Sequence, residues 1–194
     1  MTKPYHHGNL RAVLLEHGER LLVTAGANDL SLRELAREAG VSHGAPRRHF
    51  PDRQALLDAL AEVGFERLGR ELDAAMDAAG GAFTERLVTF AEAYVGFAVR
   101  HPELLHLMHA SKDRPGAGLR RANDEAYRAP IALIAEAQAS GDIVASDPDR
   151  VAMAVLATLQ GPAVLITTGM SGDRPVGPLV SGTIETLVDG LRPR

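Results

Sequence analysis

The side chains best suited to recognition chemistry lie in residues 31–57, SLRELAREAGVSHGAPRRHFPDRQALL. Arg47, Arg48 and His49 stand side by side there, a few residues after Ser42 and His43. A guanidinium is a planar fork of N–H donors that pairs bidentately with a phosphate or with the edge of a guanine. Hydroxyls such as those of Ser31 and Ser42, and the backbone N–H groups of the helix starts they can cap, donate to phosphates. Together these groups offer anion recognition, and DNA is the anion they fit.

Such side chains need elements to present them. Leu32, Leu35, Ala36 and Ala39 make one apolar stripe of a short helix. Its start reads as a capping box in which Ser31 caps and Glu34 reaches back. Gly40 supplies the left-handed residue of a tight exit, and Val41 can plug the corner. Ser42 can cap a second short helix that runs to about Phe50 and stops at Pro51. A helix that small does not hold itself together, so neighbours must brace it. Helix, Ala-Gly-Val-Ser turn and short basic helix form a helix-turn-helix, whose second helix enters the major groove. Spacing alone leaves one alternative open, a solvated helical hairpin with idle charges.

The remaining pattern predicts an all-α chain of about nine helices. Leu14, Leu15, Gly18, Leu21 and Leu22 recur at helical spacing until Gly26. Asp52 caps a long fourth helix that fades near Gly80-Gly81. A fifth spans about 84–100, and His101-Pro102 starts a short sixth. Residues 112–118, KDRPGAG, read as a loop, and 119–140 as a helix kinked at Pro130. Asp147-Pro148 signals the start of an eighth helix ending near Gly169. A ninth, about 178–191, closes the chain. The expected division is a three-helix DNA-binding domain over 1–52 and a helical domain over 53–194.

Composition narrows the classes. The 194 residues carry a formal charge of −4 and are 45% hydrophobic, enough for a substantial core. Residues 1–50 hold seven Lys and Arg against five Asp and Glu, which leaves +2 there and −6 in the rest. Five of the eight histidines, His6, His7, His17, His43 and His49, also fall in that head. A mildly basic head on an acidic body suggests that the head meets an anion. With no cysteine, disulfides, thiolate zinc sites and cysteine nucleophiles are excluded, and a reducing cytoplasm is expected. The start, MTKPYHHGNL, lacks the apolar run of a signal peptide. Gln160, Pro162 and several threonines interrupt the apolar stretch 151–169, so a buried helix is expected rather than a membrane span. No nucleophile elbow, phosphate loop, dinucleotide fingerprint or zinc-protease motif occurs. No enzyme activity and no cofactor are therefore expected.

The stretch LRELAREAGVSHGAPRRHFPDRQALL resembles the DNA-binding domain of the tetracycline-repressor (TetR) family of bacterial regulators, over about residues 9–60. The resemblance implies phosphate contacts from Ser31 and Arg33. It implies a recognition helix opened by Ser42, His43, Gly44 and Ala45, a phosphate contact from His49, and another from Arg53, where the family usually has Lys. Phe50 is expected as a core plug. Where the family usually has Tyr, two residues before the histidine, this chain has Arg47. Arg47, beside Arg48, can hold a phosphate or read a guanine. Tyr5 to Leu10 precede the first helix as an arm over the DNA backbone or as a frayed end.

For the body, the family implies a homodimer whose helices enclose a small-molecule effector and which releases operator DNA when it binds. Phe90, Tyr94, Phe97, Met108, Tyr127, Met153 and Leu156 are the large adaptable side chains available. His106, His109, Thr158 and Gln160 are polar residues among apolar ones. Core packing and pocket lining are both open for each. The segment 156–165, LATLQGPAVL, resembles the Trp-His-Gly segment of one C-terminal subgroup, of which it keeps only Gly161. His106 and His109 share a helix face with His101 upstream, which is compatible with metal binding. No further ligand is spaced to complete a set, so no metal site is assigned. A metal-responsive regulator using His101, His106 and His109, or a DNA-binding dimer without an effector, are the alternatives. Leu159, Leu165, Ile184, Leu187, Val188 and Leu191 give the last two helices apolar faces, which relatives pair as a four-helix bundle.

Overall fold

The computed structural model describes residues 10–111 and 116–193. Among these all regular structure is helical. The α-helices are α1 (Leu10–Asp29), α2 (Leu32–Glu38), α3 (Arg53–Ala78), α4 (Phe83–Arg100), α5 (Pro102–Ala110), α6 (Ala117–Ala126), α7 (Arg128–Ser140), α8 (Pro148–Thr167) and α9 (Val176–Leu191). A single 3-10 turn, Pro46–Arg48, stands between α2 and α3. Residues 5–9 of the expected arm and 112–115 of the expected loop lie outside the described residues. Residues 117 and 118, expected in that loop, open α6 instead.

The chain forms two compact units. One takes the chain up to Phe65 together with Glu103–Arg121; the other takes Glu66–Pro102 and the chain from Ala122 onward.

In the first unit, α1 buries Leu14, Leu15, Gly18, Leu21 and Leu22. At Gly18 the absent side chain matters: a Cβ there would lie 3.4 Å from both methyls of Leu60. Gly26 ends the regular run of α1 with φ +78, a conformation that costs glycine little. The seven-residue α2 is held by Leu35 and Ala36, both fully buried. A buried leucine contributes roughly 1.5–3 kcal/mol, and that burial replaces the self-stability so short a helix lacks. Ser31 caps α2 by accepting the Glu34 N–H at 3.2 Å. Only half of the expected capping box forms, because the Glu34 carboxylate turns outward to Arg37. Gly40, at φ +64, ends α2, and Val41 N–H returns to Ala36 O at 3.0 Å. This closure is the six-residue hydrogen-bonded exit that a left-handed glycine permits.

The element after this turn departs from the expected α-helix. Pro46 has no N–H to give to the carbonyl four residues back, so the chain makes tighter bonds. Ala45 N–H donates to Ser42 O at 2.9 Å, and His49 N–H to Pro46 O at 3.0 Å. Ser42 therefore contributes a carbonyl here, and no side chain caps the turn. Buried Pro46 and Phe50 pin it to the unit.

In the second unit, α4 is the central helix. It buries Phe83, Leu87, Phe90, Ala91, Tyr94, Val95, Phe97 and Ala98 and packs on α7, α8 and α9. Arg86 on α4 meets Glu136 on α7 at 2.9 Å, and Arg100 pairs with Glu71 on α3. The kink expected at Pro130 falls earlier, and α6 and α7 are separate helices broken at Tyr127. The cause is again proline: Pro130 cannot donate to Ala126 O, and its ring would collide with that carbonyl in a continuous helix. Asp147 caps α8 by accepting the Asp149 N–H at 3.0 Å, with Pro148 at the first helical position.

Candidate nucleic-acid interface

The residues expected to meet DNA gather on α2 and the turn that follows it. His43, Gly44, Arg47, Arg48 and His49 are all exposed, as are Arg33 and Ser42; Ser31 and Ala45 are half-buried. The 3-10 turn places two consecutive arginines and a histidine on one short protrusion whose other side is anchored by Pro46 and Phe50. Among the described residues no carboxylate pairs with Arg33, Arg47 or Arg48, whereas Arg37 is neutralised by Glu34 and Glu38. An arginine without a carboxylate keeps its full charge and donor set for an incoming anion. Ser31 already accepts one bond, and its hydroxyl proton remains available to donate.

Arg53 is placed differently from its neighbours. Its Nε donates to Leu30 O at 2.9 Å, and one terminal nitrogen reaches Ala27 O and Asn28 O. The side chain expected on a phosphate thus ties the end of α1 to the start of α3. No local pattern signals this, since the carbonyls lie 23 to 26 positions away. The structure also adds a cation that the motif does not contain: Arg11, on the first turn of α1, lies with its Cζ 5.7 Å from the centre of the Phe50 ring.

His17, on α1, is held below its ordinary range. Burial disfavours the imidazolium, nearby Arg20 adds to the effect, and Glu38 and Glu16 offset part of it. A neutral His17 is thus part of the packed unit rather than of the basic surface.

The second unit holds a polar cluster in an apolar core. Gln160 Nε2 on α8 donates to Tyr94 Oη on α4 at 2.8 Å, and the buried Tyr127 phenol lies close enough to Tyr94 for each to shift the other. Tyr94 is wholly buried, with Phe90 and Phe97 one turn away on either side. Burial pushes the Tyr94 phenol up to about 12, against the opposing effect of neighbouring Tyr127 and of Gln160. Burial, then the neighbouring Tyr94, drives Tyr127 well above the usual phenol range.

Other residues expected around an effector lie elsewhere. Met153 is 64% exposed. Thr158 spends its hydroxyl on Ala154 O at 2.8 Å and lines an open groove. His109 is half-buried and His106 exposed, and both belong to the first unit. The His101 ring lies against Phe97, with centroids 5.0 Å apart. Among the described residues no group of three or more His, Cys, Asp or Glu is placed to hold a metal ion.

Of the residues expected between subunits, Leu159, Ile184 and Val188 are buried within the chain's own core and cannot reach a partner. Both helices carry two apolar faces, and the pattern alone does not say which one α4 covers. Leu165, Leu187 and Leu191 remain half-buried. The exposed apolar residues here are instead Met153, Val164, Met170 and Val176. α8 is long and apolar enough by length and composition to cross a membrane, and little of it is buried.

Residues 14–60 match the family model for bacterial regulatory proteins of the tetR family, and residues 87–189 match that for the tetracyclin repressor-like C-terminal domain. The chain belongs to the TetR family. This TetR-family chain is thus a DNA-binding transcriptional regulator, and its first unit carries the family's helix-turn-helix. It is 31% identical over 103 residues to the HTH-type transcriptional regulator Rv1816 of Mycobacterium tuberculosis, covering 53% of this chain and 44% of that protein. The chain spans about half the length of the curated relatives it matches. A solved structure of a Rhodococcus sp. RHA1 protein of unknown function is 45% identical, with a TM-score of 0.88 over 99% of this chain and 100% of that one. FadR from Bacillus subtilis, solved in complex with stearoyl-CoA, shares the fold at 15% identity, with a TM-score of 0.71 over 94% of this chain and 100% of that one.

Proposed function

We propose that this regulator acts in the cytoplasm as a homodimeric repressor, released from its operator when a small, mainly apolar molecule binds beside Tyr94. The observation that carries the effector reading is the Tyr94–Tyr127–Gln160 cluster. Interior side chains of helical domains are ordinarily apolar, and hydrogen-bonding groups placed among aromatics are how a pocket fixes the orientation of a ligand. Phe90 and Phe97 supply apolar surface, and the two phenols and the amide supply donors and acceptors. That FadR, a relative in fold, was solved with stearoyl-CoA accords with a small-molecule effector.

Dimerisation is supported by what α8 and α9 leave uncovered. Val164 and Met153 lie about three turns apart on one face of α8, and they are 52% and 64% exposed. α8 and α9 also border an open groove of about 670 Å³ lined by Thr158, Arg174, Pro178, Leu179, Thr183 and Leu187. Thr158 and Thr183 bond the carbonyls of their own helices, so the groove wall is mainly hydrocarbon. A second copy covers such a surface and sets two recognition turns one DNA turn (~34–36 Å) apart. Chain passes between the units at Phe65–Glu66, Pro102–Glu103 and Arg121–Ala122. An effector that favours another arrangement of the second unit thereby alters that spacing. By linkage, operator DNA must weaken effector binding by the same factor.

The test starts from duplexes selected out of a random library by the purified protein. Compounds are then screened by thermal shift with and without the selected duplex. At least one stabilising compound should release the duplex, and Tyr94→Phe or Gln160→Leu should blunt its effect while leaving DNA affinity intact. A screen in which every stabilising compound leaves DNA affinity unchanged, in wild type and variants alike, would count against the effector reading.

A further inference from the structure

We propose that Arg11, outside the helix-turn-helix motif, is an additional phosphate contact of the DNA-binding surface, held in place by Phe50. The inference rests on the first unit's DNA-binding role. Arg11 is exposed on the first turn of α1, with its Cζ 5.7 Å from the centre of the Phe50 ring. Phe50 is only 2% exposed, so the platform is fixed. It directly follows Arg47, Arg48 and His49, and the His49 ring lies 6.4 Å from it, centroid to centroid. Arg11 and His49 thus share one aromatic ring as support. The Arg11 guanidinium and the His49 ring can be no farther apart than about 12 Å, the reach of a few backbone phosphates at roughly 3.4 Å of rise each along one strand.

The stereochemistry suits the role. A guanidinium carries five N–H donors in a rigid plane, and one ring can engage only a part of them. The ring therefore supports Arg11 while leaving donors for an anion. Among the described residues Arg11 has no carboxylate partner. A free arginine loses much rotamer entropy when it binds a phosphate, and one already resting on a ring loses less. Packing alone would also place an arginine on an aromatic, so the test must read ion release from DNA rather than stability.

Binding of the full chain to a mixed-sequence 30-base-pair duplex is measured by fluorescence anisotropy across a potassium chloride series, for wild type, Arg11→Ala and Arg11→Lys. Removing one phosphate-bound cation lowers the slope of log affinity against log salt by about 0.9. Arg11→Ala should reduce the slope by that amount per contacting protomer and weaken binding several-fold at about 0.1 M salt. Its melting temperature should stay near that of wild type. Arg11→Lys should keep the slope, since it keeps the charge, and lose part of the affinity. An Arg11→Ala slope equal to wild type overturns the proposal, as does an affinity loss equal in Arg11→Lys and Arg11→Ala. A wild type that binds no duplex would remove the DNA-binding surface and this contact with it.

Discussion

Gln160 donates from its Nε2 to the Tyr94 hydroxyl at 2.8 Å and so joins α8 to α4 inside the second unit. The bond lies in a core that is otherwise aliphatic and aromatic, where an unmet polar group costs about 1–3 kcal/mol. Tyr94→Phe should therefore destabilise the protein by about that much, because it removes the hydroxyl that accepts from the Gln160 amide. Replacing both partners, Tyr94→Phe with Gln160→Leu, should cost less than the sum of the single changes. Chemical denaturation of the four proteins in a double-mutant cycle checks this, and strict additivity would show the bond to be energetically idle.

Alkaline titration gives a second reading of the same cluster. Burial holds the Tyr94 phenol up at about 12 in the folded chain and Tyr127 well above the usual phenol range, whereas both fall to ordinary phenol values on unfolding. Above about pH 10 the unfolded chain releases these protons and the folded chain keeps them. Stability is thus full below about pH 10 and declines as pH rises towards 12. At about pH 11 phenolate absorbance should be lower in the folded than in the unfolded chain. Tyr127→Phe should lower the pH-dependent loss.

His17 predicts the opposite limb. Its folded value lies below its ordinary one, so acid protonates the unfolded chain first. This contribution is present above about pH 6.5 and is lost as pH falls through the lowered folded value. His17→Gln should flatten the stability profile below about pH 6.5, measured by denaturation at each pH.

Arg53 holds Leu30 and the end of α1 by its guanidinium, so its loss should appear first in folding. Arg53→Ala should cost on the order of 1–3 kcal/mol of stability, since hydrogen bonds to a charged group are the stronger kind. Arg53→Lys should recover only part of it, because one ammonium cannot span the carbonyls that a fork reaches. The salt slope of DNA binding should stay near wild type. A variant of normal stability with a reduced slope would restore the phosphate contact.

Arg47 stands exposed on the 3-10 turn beside Arg48 and His49, the position from which a backbone contact is expected. Arg47→Ala should weaken binding to a similar degree on every duplex and lower the salt slope by about 0.9 per phosphate bound. Loss of discrimination at a single base pair, by about 1–3 kcal/mol, would mean that it reads a guanine. A library of single-base variants of the selected duplex separates the two outcomes.

Much of this protein is legible along the chain because it rests on local physics. The leucines of α1, the Ser31 cap, the left-handed Gly40 and the Asp147-Pro148 start depend on neighbours within one or two turns, and the sequence holds all of them. The basic run Arg47–Arg48–His49 is legible for the same reason. Local effects also depart from expectation: Pro46 tightens the recognition element into a 3-10 turn, Pro130 splits a helix at Tyr127, and Glu34 leaves the capping box for Arg37. What only the tertiary structure decided were matters of which face meets which. Leu159, Ile184 and Val188 belong to the core because α4 covers that side of α8 and α9, leaving Met153 and Val164 outside. Arg53 reaches carbonyls 23 to 26 residues away, and Arg11 meets Phe50 across the unit. A helical repeat specifies which residues share a face, but it carries no record of the neighbour that the face will find.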